Sequence, residues 1–120
     1  MGLFDKWKKK PEEPLDFSGE DSREKAEELA RKGVLHPLYL MPLRFGGSDS
    51  LPENSVYATA AAIARKDRFD DQVEALLAQG KVDGYACEPQ YRDKSFVPCA
   101  VKVTARKDGT NVLTETIQIW

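Results

Sequence analysis

Residues 96–119 carry the strongest constraint on the fold, because apolar and polar side chains alternate on both sides of Asp108-Gly109. In the first run Cys99, Val101, Val103 and Ala105 share one parity, and Lys102, Thr104 and Arg106 the other. In the second run Leu113, Ile117 and Ile119 oppose Thr114, Thr116 and Gln118. A period of two with one apolar face is the signature of a half-buried strand. Asp-Gly between two such runs is a hairpin turn, since its central residues tolerate the positive φ that tight turns demand. The pattern predicts strands over 96–106 and 112–119, preceded by a third over 82–87.

The apolar face needs a cover. Segment 60–79, closed by Gly80, places Ala62, Phe69, Val73, Leu76 and Leu77 at helical spacing, with Arg68, Asp71 and Glu74 opposite. Lys66 interrupts the stripe, and its stem is expected to lie along apolar surface with the ammonium in water. Upstream, 36–45 is apolar on both faces but holds Pro37 and Pro42, so an edge or bulged strand is expected. Loop 46–54 and a short strand over 56–58 follow. An earlier helix begins with Asp21 as N-cap and Glu24 as its capping-box partner, and it ends before Gly33. Its stripe of Ala26, Leu29 and Ala30 is thin, and Glu27 with Arg31 and Glu28 with Lys32 are i,i+4 pairs. The expected fold is α+β: an antiparallel sheet of about four to five strands covered on one face by one long helix, plus an N-terminal surface helix.

A chain of 120 residues suits one domain. Its charge is uneven: residues 1–10 hold four lysines and one aspartate, and residues 11–28 hold eight acids and two bases. With Pro11 and Pro14 between them, this reads as a flexible charged tail over 1–19 and a single domain over 20–120. A net charge of −2 lacks the footprint of a nucleic-acid binder. Leu3, Phe4 and Trp7 followed by lysines raise a membrane-peripheral reading through residues 1–10. One short apolar patch binds membranes only marginally, so docking of that terminus on the body is preferred. Lys6 stands where myristoylation wants Ser or Thr. With no secretory pattern at the start and two cysteines, the expected setting is cytoplasmic with both thiols free.

Catalytic chemistry finds little to work with. The one histidine, His36, has no Gly-x-Ser-x-Gly partner, and Cys87 and Cys99 both fall in predicted strands, where a thiol behaves as a small hydrophobe. Eleven residues separate the cysteines, which does not match zinc-site spacing. Asp67, Asp70, Asp71 and Glu74 lie among Arg65, Lys66 and Arg68, as on a solvated helix face, so neither metal nor cofactor is expected. Gly46-Gly47 lacks the lysine and helix start of a phosphate loop. The balance leans away from an enzyme.

Two places remain. Glu115 falls on the inward parity between Leu113 and Ile117, where a buried carboxylate would mark a small-ligand or enzymatic site with His36, Cys87 or Cys99 nearby. A bulge, or a position past the helix's cover, would put it in solvent instead, as the cost of burying an unpaired acid favours. The connection 85–96 gathers Tyr85, Tyr91, Arg92, Lys94 and Phe96, a composition enriched at interface hot spots. A plain hairpin loop with its aromatics tucked against the sheet is the alternative there. The leading functional reading is a non-catalytic module that binds a protein partner through 85–96 and 46–54.

The start Met1-Gly2-Leu3-Phe4-Asp5-Lys6, the stretch Tyr39-Leu40-Met41-Pro42-Leu43-Arg44-Phe45-Gly46-Gly47 and the ending Thr114-Glu115-Thr116-Ile117-Gln118-Ile119-Trp120 carry a resemblance. The chain resembles small uncharacterised α+β proteins of bacteria, some of them immunity partners of polymorphic toxins. The resemblance implies a fold type and an immunity-type inhibitor that binds a protein. It assigns no functional residue.

Overall fold

A computed structural model describes residues 15–120; the expectations for residues 1–14, including the anchor over 1–10, lie outside the described residues. The element order is α1 (Arg23–Arg31), β1 (His36–Tyr39), 3-10 turns at Leu43–Phe45 and Pro52–Asn54, β2 (Ser55–Ala58), α2 (Ala60–Ala78), β3 (Gly84–Gln90), β4 (Ala100–Lys107) and β5 (Thr110–Gln118). The chain is α+β, but its strands form two antiparallel sheets instead of one. β1 pairs with β2 alone, and β3, β4 and β5 make a second sheet in that order. Pro37 on β1 and Pro89 on β3 each leave one edge of their sheet short of an N–H for a further ladder.

The Asp108-Gly109 turn sets the main sheet. Both residues have positive φ, 51° and 81°, and Lys107 faces Thr110 across them. That two-residue geometry matches the right-handed twist of the strands it joins. A register shift beside Ala105 absorbs one extra residue, after which the alternation resumes. Val101, Val103, Ala105 and Ile117 are fully buried on the helix-covered face. Thr104 is buried too, on the other parity, between Ala86 and Thr114 of the flanking strands.

α2 starts at Thr59, whose hydroxyl accepts the Ala62 N–H at 3.3 Å, and stops before Gly80, at φ 70°. It reaches Tyr85 on β3 through Asp70 and Glu115 on β5 through Arg65, so it crosses the whole sheet. Its buried face is Ala62, Lys66, Phe69, Asp70 and Val73, spaced three or four apart along one stripe with Phe69 and Asp70 side by side. Leu77, expected inside, is half exposed, and Leu76 is partly buried.

α1 is capped by Ser22, which accepts the Lys25 N–H, one residue after the expected Asp21. Asp21 pairs with Lys25 instead, at 2.9 Å. Glu28 pairs with Arg31 at i,i+3, in place of the two expected i,i+4 pairs. Within 15–19, which composition assigns to the tail, Phe17 docks on the body while its neighbours are exposed. Phe17 is buried edge-on to Trp120, its carbonyl accepts the Ser95 hydroxyl at 2.7 Å, and the Glu20 carbonyl accepts the Phe96 N–H.

Candidate functional site

Two polar constellations stand out, and they lie in different parts of the molecule. One is beneath α2. Lys66 is 4% exposed and Asp70 2%. The Lys66 ammonium donates to Asp70 Oδ2 at 2.8 Å, and the Tyr85 hydroxyl donates to Oδ1 at 2.6 Å. The ammonium also lies 5.4 Å from the centre of the Tyr85 ring. This overturns two sequence expectations: the Lys66 ammonium is not in water, and Asp70 does not belong to the solvated acidic face. The i,i+4 spacing puts both on the buried stripe, where each neutralises the other. Tyr85 is thereby part of the interior, away from the connection it was grouped with.

Above this triad a cavity of about 340 Å³ is walled by Leu38, Pro42, Leu43, Arg44, Ile63 and Asp67, with Lys66 and Asp70 also lining it. Arg44 closes one side by donating to Asp71 at 2.7 Å, Glu74 at 3.3 Å and the Asp67 carbonyl at 3.2 Å. The bond to Asp71, then the charges of Asp71, Asp70 and Glu74, hold its guanidinium above its ordinary pKa. Lys66, Asp70 and Arg44 each have a protein partner there, which suits a role in the architecture.

Burial, then the bond to Asp70, pushes the Tyr85 hydroxyl far above its usual range. Burial pushes the Cys87 thiol up to about 11 from 9.0, the opposite direction from the depressed value a cysteine nucleophile needs. Both groups hold their protons more tightly folded than unfolded. Their contribution to stability is complete below the unfolded pKa values and is lost as pH rises through the folded ones. Urea titrations at successive pH values from about neutral upward are expected to show constant stability up to about pH 9 and a fall above it. Cys87→Ala removes the first part of that fall, between 9.0 and about 11. Thiolate absorbance appearing near pH 9 in folded Cys99→Ala, where Cys87 is the one thiol left, would refute it.

The second constellation surrounds the connection 91–99. Tyr91 is 53% exposed. The Arg92 guanidinium lies 4.2 Å from the centre of the Trp120 ring, and Arg23 of α1 lies 5.0 Å from that of Phe96. Lys94 is exposed beside them. Among the described residues Arg23, Arg92 and Lys94 form no ion pair. A shallow cavity of about 320 Å³ between Leu15, Asp16, Arg92, Asp93 and Trp120 borders them. Asp16 there is held below its usual pKa by hydrogen bonds from Ser18 and, more weakly, by the charge of Arg92.

This connection has no regular structure but is firmly held. The Ser95 hydroxyl donates to the Phe17 carbonyl and accepts the Val97 N–H at 3.0 Å. The Trp120 indole donates to the Val97 carbonyl at 3.0 Å, and the Cys99 N–H donates to the Gln90 carbonyl at 2.8 Å. Asp93 takes a positive φ of 57° at its tip.

The remaining candidates are placed separately. Glu115 is 41% exposed, and its carboxylate is 3.3 Å from Arg65, so it is neither buried nor unpaired. His36 lies opposite Ala58 in the small ribbon, and Cys87 opposite Val103 in the main sheet. Loop 46–54 is closed on itself by Asn54, which accepts the Met41 N–H and donates to the Met41 and Ser48 carbonyls. Gly47 is needed because any side chain there would collide with the Met41 carbonyl. Sequence reasoning missed Trp120 and Arg23, which reach the site from just past the last strand and from the first helix. No protein-family model, no curated protein and no solved structure matches the chain.

Proposed function

We propose that this protein is a non-catalytic protein-interaction module that grips a partner with Tyr91, Arg92, Lys94, Phe96 and the stacked Trp120. The observation that carries this reading is the pair of arginines laid on aromatic rings, Arg92 on Trp120 and Arg23 on Phe96, neither spent on an ion pair among the described residues. A guanidinium held over a ring face still has N–H donors to offer carboxylates. The half-exposed Tyr91 adds an amphipathic contact. The bonds that fix 91–99 mean that little ordering entropy is left to lose on binding. The partner is a protein surface presenting carboxylates around an apolar patch. An immunity-type inhibitor is the particular form implied by the resemblance to bacterial immunity partners. A cytoplasmic setting fits the two unbridged thiols, and among the described residues no helix is long and apolar enough to cross a membrane.

The test is capture from the native lysate by the tagged full chain, compared with Tyr91→Ala/Arg92→Glu. Both side chains are exposed, so the variant should retain its circular dichroism spectrum. One stoichiometric protein is expected to be held by the wild type. The variant should bind it at least about thirtyfold more weakly, the effect of one hot-spot residue of about 2 kcal/mol. Binding unchanged in the variant sinks the proposal.

A further inference from the structure

Among the described residues the outer edge of β5 is open. Ile119 donates its N–H to the Cys99 carbonyl at 2.7 Å. Successive residues of an antiparallel strand turn their peptide groups to opposite edges. Glu115 and Ile117 therefore also face β4, and Thr114, Thr116 and Gln118 present their N–H and C=O groups to the other side. No strand lies there among the described residues, because β5 ends the sheet order. The register shift is confined to the turn end, so 114–118 is regular.

Natural edge strands are usually blunted by proline, lysine, bulges or cover. The other edge of this sheet follows that habit, with Pro89 in β3. β5 is nine residues long and contains no proline, lysine or arginine. Its one charge, Glu115, is directed to Arg65 on the helix-covered side. The exposed side chains beside the free peptide groups, Thr114, Thr116 and Gln118, are uncharged.

We infer that β5 is a self-association edge, on which a second copy of this chain adds its own β5 antiparallel across a two-fold axis at Thr116. That register sets Thr116 against the partner's Thr116, and Thr114 and Gln118 against the partner's Gln118 and Thr114. All three outward peptide groups on each strand are then used. Glu115 falls opposite the partner's Ile117. An axis at Glu115 would oppose two carboxylates directly, and cross-strand like charges are destabilising. An axis at Thr114 would run the pairing into the register shift. The chosen register joins two three-stranded sheets into one continuous sheet. It involves none of the residues proposed to bind the protein partner except the neighbouring Trp120.

Sedimentation velocity of the full chain from low to high micromolar concentration tests this. The expected result is a species of twice the 13.5 kDa monomer mass, with slowed amide exchange at Thr114, Thr116 and Gln118 as it forms. Thr116→Pro removes only an outward N–H, and Thr116→Lys sets two ammonium groups against each other at the axis. Both are expected to be folded monomers. A wild type that stays monomeric throughout overturns the inference, as does a dimer that persists in folded Thr116→Lys. A wild type that forms the dimer but captures no protein would count against the protein-binding reading and not against this one.

Discussion

Replacing Lys66 with methionine is expected to lower the unfolding free energy by about 3–5 kcal/mol, the usual cost of leaving one member of a buried ion pair without the other. Methionine fills the space of the lysine stem but strands the Asp70 carboxylate, 2% exposed, with the Tyr85 hydroxyl as its remaining partner. The shift would be read as the urea midpoint at constant m value. The triple variant Lys66→Met/Asp70→Leu/Tyr85→Phe removes every polar atom of the triad at similar volume. It should return to within about 1–2 kcal/mol of the wild type, because an apolar replacement avoids the desolvation of both charges. A single-mutant loss below about 1 kcal/mol would mean that water reaches the pair, since that is the range of exposed salt bridges.

The same triad shows where sequence reasoning stopped. The turn at Asp108-Gly109, the strand parities on β4 and β5 and the span of α2 are local properties, set by φ preferences and by periods of 2 and 3.6. All were legible to within a few residues. The Lys66–Asp70 pair was also written in the sequence, as opposite charges at i,i+4 on the apolar stripe. The habit of placing every charge in water hid it, as that habit takes residues one at a time. Asp21 and Ser22 are adjacent N-cap formers, and only the hydrogen bond to Lys25 decides between them. Whether strands belong to one sheet or two is non-local: alternation assigns faces to a strand but does not choose its neighbour. Parity placed Glu115 on the helix side, but its half-exposed position beside Arg65 depends on how α2 crosses the sheet. The cluster of Tyr91, Arg92, Lys94 and Phe96 could be read from composition. The rings and cations that complete it come from residues 23 and 120, which no sequence window joins.

That closure supplies the second large effect. Trp120→Ala is expected to cost about 3 kcal/mol, the low end of the range for aromatic truncation, because the ring is only partly buried. Three contacts go together: the perpendicular packing on Phe17 at 6.2 Å, the indole bond to the Val97 carbonyl and the stacking of Arg92. Trp120→Phe separates them. It keeps an edge-to-face partner for Phe17 and loses the indole donor, so it should cost only about 1 kcal/mol, the net value of one hydrogen bond. A Phe17→Leu/Trp120→Ala double-mutant cycle should show a coupling of about 0.5–1.5 kcal/mol, the usual excess of an aromatic pair over its buried area. Because Phe17 also receives the Ser95 hydroxyl at its carbonyl, loosening the ring should quicken amide exchange at Val97 before the β3–β4–β5 sheet opens. Additive Phe17 and Trp120 effects, with Val97 still protected, would show that 91–99 holds its shape without Trp120.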